Sequence, residues 1–203
     1  YYSGQDSAIR VGGNTINISY NTINSTNTGI LIENSVSNIN ISNNNINYSG
    51  NVGGGDGIDV TAFNNITISY NNIYGFGDSG NGAQYGILIN SGSSNTISSN
   101  LINRSADSSI YLDGADVNYS RVENNTIKNG SNGGDAGIYL NSANNINVTG
   151  NYIETINPYG IIITGYNNRI IGNTINQTDN FQHGIVIAGN YSVVENNTIV
   201  GTT

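Results

Sequence analysis

The chain has no cysteine, methionine or tryptophan, and its 203 residues include only one proline (Pro158) and one histidine (His183). Without cysteine there is neither a disulfide framework nor a thiolate metal site. That absence leaves an extracellular setting open; it means only that stability has to come from packing. Basic residues are nearly as scarce. Lys128 and four arginines stand against 13 acidic residues, for a formal charge of -8. Nucleic acid rewards clustered cations, so no nucleic-acid partner is expected. Long apolar runs are missing too. No stretch approaches the roughly 20 residues of a membrane span, and no signal peptide opens the chain, so membrane insertion is not expected. The sequence begins Tyr1-Tyr2 rather than with Met, as a processed or excised piece would.

What the chain has in excess is asparagine, about a fifth of all residues, with 27 glycines beside it. Such polarity would suit a disordered chain. The isoleucines and valines argue otherwise, because they alternate and recur. The pattern apolar-x-x-Asn-x-apolar appears eight times, around Asn21, Asn44, Asn71, Asn100, Asn125, Asn151, Asn173 and Asn197, at intervals of 22–29 residues. A period of this length is the signature of a solenoid. The fullest copy reads Gly137-Ile138-Tyr139-Leu140, then Ile146-Asn147-Val148, then Asn151-Tyr152-Ile153. Each copy holds two short alternating strands, a corner at the Asn, and a third strand.

A strand this short cannot bury its apolar face alone. Stacked on the same strand of the next repeat, it becomes part of a parallel sheet spaced by about 4.8 Å. The expected fold is therefore all-β: one right-handed parallel β-helix over residues 1–203, of about eight three-strand coils, roughly 38 Å long. The recurring Asn should stack on itself as a structural ladder that satisfies polar groups in a tight bend. Nothing at either end reads as a cap. The chain is thus expected to be a segment of a longer solenoid, or to meet other subunits head to tail.

These Gly-Ile-x-Ile…Asn-x-Ile repeats, from Ile9 to Ile199, resemble the parallel β-helix proteins of the pectate-lyase-like superfamily. The likeness is nearest to NosD-type and archaeal cell-surface repeats. It implies a fold far more specifically than an activity, since this fold carries lyases, glycosidases, tailspikes, adhesins and surface layers. The copper-related role of NosD proteins does not carry over, because His183 is alone and copper wants His, Met or Cys. Pectate-lyase chemistry needs Asp-bound Ca²⁺ and a basic residue on the first sheet, where only Arg10 points outward. Gln182-His183-Gly184 resembles the Gly-His-Gly of polygalacturonase-like hydrolases, without their Asp–Asp pair. Register sets Asp59 between Leu31 and Leu88, and Asp113 two coils further on, roughly 10 Å away. No carboxylate pair is expected on that face.

Outward rows on the second and third sheets are rich in Asn and Thr. The first sheet instead presents Arg10, Leu31, Asp59, Leu88, Tyr111, Tyr139, Ile162 and Val186. An apolar stripe of that length marks an interaction surface or lies under loops. Leu31, Leu88, Tyr111, Tyr139, Ile162 and Val186 are therefore the candidate surface. Gly-rich insertions before Gly57, Gly86 and Gly137 should emerge at one corner, and their Asp56, Asp78 and Asp135 are the candidates for a Ca²⁺ site; otherwise no cofactor is expected. Among many Asn-x-Ser/Thr sequons, Asn17, Asn40 and Asn147 sit at outward positions and are candidate glycan acceptors. The resulting expectation is a non-enzymatic extracellular or cell-surface module, self-associating laterally or head to tail. The alternative is a carbohydrate-binding or polysaccharide-cleaving β-helix, with glycans as partner and Tyr111 and Tyr139 as the stacking platform.

Overall fold

The computed structural model describes residues 6–25, 27–33, 36–48, 55–61, 64–76, 84–130, 136–154, 158–177 and 183–201. Among these, three parallel sheets of eight strands each take one strand from every coil. The first sheet runs through Ser7–Val11, Thr28–Ile32, Ile58–Val60, Ile87–Ile89, Ile110–Asp113, Ala136–Asn141, Tyr159–Ile163 and His183–Ile187. The second begins at Asn17–Ser19 and ends at Val193–Glu195; the third begins at Thr22–Ser25 and ends at Thr198–Gly201. The eight-coil solenoid expected from the repeat is what forms.

Register follows from alternation. In each short strand the β-branched residues that suit a pleated surface point inward. Ile30, Ile58, Ile87, Ile110, Ile138 and Ile161 form one column of the interior and are fully buried. The residue after each of them faces out. This aligns Arg10, Leu31, Asp59, Leu88, Tyr111, Tyr139, Ile162 and Val186 along the first sheet.

The glycine that precedes the inward isoleucine in six of the eight first-sheet strands is required by close approach. A Cβ on Gly57 would lie 2.6 Å from Cγ2 of Ile73 in the same coil, and one on Gly86 would lie 2.5 Å from Cγ2 of Ile102. The third sheet's central isoleucine thus reaches across the coil into the space a side chain would need.

The Asn row is a ladder with a direction. Oδ1 of Asn125 accepts both the backbone N–H and the Nδ2–H of Asn100, each at 3.0 Å. Nδ2 of Asn100 also donates to the Ile68 carbonyl in the preceding coil, at 2.9 Å. The same forward pair of bonds links Asn21 to Asn44, Asn44 to Asn71, Asn71 to Asn100, Asn125 to Asn151, Asn151 to Asn173, and Asn173 to Asn197. The corner is tight enough that the residue before each Asn is left-handed. Tyr20, Tyr70 and Asn124 have φ of 60°, 56° and 56°, and Gly150 and Gly172 fill the same place in later coils.

Candidate functional site

Two outward columns of the first sheet and the column along its leading edge meet in one region between the third and sixth coils. The column along its leading edge is the residue two before the inward isoleucine: Thr28, Asp56, Tyr85, Ser108, Ala136, Tyr159 and His183, of which Thr28, Ser108 and Ala136 are fully buried. Bonds across it fix that alignment, since the Tyr85 N–H donates to Oδ1 of Asp56 at 2.8 Å, and the Gly57 N–H to the Tyr85 carbonyl at 2.9 Å. The middle column carries Asp59, Leu88, Tyr111 and Tyr139. The trailing column carries Asn90, Asp113 and Asn141.

Aromatic rings join the columns. Tyr85 stacks on Tyr111 with centroids 4.7 Å apart and planes 17° from parallel, and Tyr111 meets Tyr139 at 5.1 Å and 53°. Further along, Tyr159 stacks on His183 at 5.8 Å. Nδ2 of Asn141 donates to the Tyr111 hydroxyl at 3.0 Å and to Oδ1 of Asp113 at 2.8 Å, which holds the phenol and the carboxylate side by side. Nδ2 of Asn90 donates to Oδ1 of Asp59 at 3.3 Å.

The middle column is less open than its composition implies. Leu31, Tyr111, Tyr139, Ile162 and Val186 are half-buried, while Leu88 is only 8% exposed and Asp59 only 5%. Asp56 is just as deep, at 5%; it is not a solvated turn residue. The other two candidates for calcium, Asp78 and Asp135, lie outside the described residues, and no group of three or more metal-ligating side chains is found among those described.

Burial pushes the Asp56 carboxyl up from 3.8 to about 7. The Tyr85 N–H pulls it down, and like-charge repulsion from Asp59 and Asp107 adds to the rise. Burial also raises Asp59, to about 6. The Asp59 charge thus bears on Asp56, which stands three residues before it at the edge of the sheet. Strand alternation in the sequence places Asp59 between Leu31 and Leu88 and Asp113 after its own strand, but does not describe the edge position of Asp56. The signal for Asp56 was its place directly before Gly57, the same place Tyr85 holds before Gly86.

The five basic residues all sit elsewhere or are engaged. Arg10, in the first coil, donates from Nε to Oε1 of Glu33 at 2.6 Å. Lys128 pairs with Glu154 at 3.2 Å on the third sheet. Arg104 lies 5.9 Å from the centre of the Tyr74 ring, and Arg121 and Arg169 point outward on the second sheet. The sequon asparagines lie on that second sheet too. Asn17 and Asn147 are exposed, and half-buried Asn40 donates from Nδ2 to Oδ1 of Asn17 at 2.8 Å.

With three parallel sheets, one repeat and one ladder in place, the class is a right-handed β-helix. The chain belongs to that family: the one described as "Right handed beta helix region" matches residues 56–203. No curated protein matches the chain. Among solved structures it is similar to the enzymatically active domain of bacteriophage CBA120 tailspike protein 2, at 18% identity and a TM-score of 0.64. That likeness covers 93% of this chain and 33% of the tailspike domain, so the chain spans about a third of its length. At this identity it speaks to fold alone.

Proposed function

We propose that this β-helix acts on extracellular polysaccharide, binding it along the first sheet through Tyr111 and Tyr139 and cleaving it with Asp56 and Asp59. The observation that carries the reading is the conjunction on one face of an aromatic run with two buried carboxyls pushed up to about 7 and about 6. A sugar offers C–H faces to aromatic rings and hydroxyls to carboxylates and amides, and this sheet supplies both kinds of partner within neighbouring coils. In glycoside hydrolysis one carboxylic acid protonates the leaving oxygen while a second carboxylate serves as base or nucleophile. Asp56, with the higher value, is assigned as the acid and Asp59 as its ionised partner. That the similar tailspike domain is described as enzymatically active supports the choice of an enzyme over a purely structural module.

A panel of polysaccharides, scored for binding and for new reducing ends, tests both halves. Asp56→Asn and Asp59→Asn should each lower cleavage by about a hundredfold or more while binding persists. Tyr111→Ala should weaken binding. Full cleavage by Asp56→Asn would remove the catalytic assignment, and unchanged binding by Tyr111→Ala would remove the first-sheet binding face.

A further inference from the structure

The charges around the first sheet say which glycans fit it. We infer that the ligand is an uncharged glycan, and that polymers bearing uronate or sulfate are rejected. This rests on the reading above, and it concerns the substrate class of that same site.

The sheet offers acceptors and almost no cations. Asp59 and Asp113 lie on the sheet with Asp56 at its edge, and Asp107 is near enough to act on Asp56. Every Lys and Arg of the chain is accounted for. Arg10 is held by Glu33 in the first coil, and the other four sit with Glu154, at Tyr74, or outward on the second sheet. No cation figures among the charges acting on Asp56 or Asp59. Planar recognition of a carboxylate or sulfate is the work of Arg or Lys. An anionic sugar on Tyr111 would find none there, and would meet Asp113 beside the phenol instead.

The side-chain amides on this face are turned toward protein acceptors. Asn90 bonds Asp59, and Asn141 bonds both Asp113 and the Tyr111 hydroxyl. Carboxyl and phenol oxygens are prominent on this face, and such oxygens accept hydrogen bonds from hydroxyl groups. Sugar hydroxyls and C–H faces match this surface; acid groups do not. In a half-buried site such repulsion is weakly screened by salt.

The test is direct binding to three soluble sets: neutral glucans, mannans and galactans; polygalacturonate and alginate; and chitosan. The full chain should bind at least one neutral polymer, with the anionic set about tenfold weaker or worse. Affinity for the neutral polymer should change less than about twofold between low and high salt. Half-buried Asp113 gives a second arm, because Asp113→Lys should raise polyuronate affinity about tenfold while the fold is kept. If polyuronate or chitosan is the tightest ligand, or if Asp113→Lys leaves polyuronate binding unmoved, the inference is overturned and the glycan site stands. If no glycan of any set binds, the glycan site itself falls.

Discussion

At the scale of the residue, the two buried carboxyls set a pH dependence opposite to that of ordinary paired acids. Asp56 and Asp59 hold their protons more tightly in the fold than in the unfolded chain, where they titrate near 3.8. Between that value and about pH 7 the folded state binds more protons, so stability is greatest below it and falls as pH rises through the window. The loss across it should be on the order of a few kcal/mol, at about 1.4 kcal/mol per group for each tenfold change in proton activity. Asp56→Asn keeps an oxygen for the Tyr85 N–H and mimics the protonated acid. That variant should melt above the parent at about pH 8 and nearly with it at about pH 4. Thermal melting across the range checks this, and a variant that melts lower at both ends would mean the carboxylate is favoured in place. A different loss follows from Leu88, which is too deep to tolerate charge. Leu88→Lys should lower stability by several kcal/mol, whereas half-buried Tyr111→Ala should cost far less; paired denaturant titrations would show whether the order holds.

At the scale of the element, the Asn corner is where a strand ends and coils join. Replacing Asn100 or Asn125 by Ala would leave the backbone N–H of the preceding ladder Asn without its acceptor, and one carbonyl without its donor. Each change should cost roughly 1–3 kcal/mol. Asn197→Ala should cost less, because Asn197 is only partly buried in this chain. Equal losses at all three places, read from urea unfolding, would deny the ladder its role. Gly57→Ala should cost roughly 1–3 kcal/mol as well, since its Cβ would press on the Ile73 methyl. These elements were legible from the sequence because one repeat length and a period of two settle which residue stacks on which. What stayed hidden was which interior places had turned polar. Asn95 and Asn168 occupy a column that other coils fill with Ile39, Ile66 and Ile146, and their Oδ1 atoms accept N–H groups of Ile66 and Ile146 at 3.0 and 2.8 Å. Composition cannot separate these buried asparagines from the many exposed ones. The depth of Asp56 stayed hidden for a related reason, because it stands at an edge column that strand alternation does not describe.

At the scale of the whole molecule, protection should follow depth along the stack. Central inward columns are fully buried from the third to the seventh coil, while Ile187, Val194 and Ile199 of the eighth are 45%, 39% and 47% exposed. Amide hydrogen exchange should therefore be slowest in strands such as Thr96–Ser98 and Arg121–Glu123 and fastest in Thr198–Gly201. Uniform exchange would mean that the coils open together. The forward-pointing Asn bonds carry a further consequence, because every coil offers the same socket above and the same plug below. Excising one whole period, residues 72–100, would set Asn71 against Asn125 and Thr67 against Arg121, with no joint left unmatched. It would also carry Asp59 from two coils' distance to direct adjacency with Tyr111. In such a molecule distance along the first sheet is written as copy number, and a ligand's length can be measured by adding or removing turns.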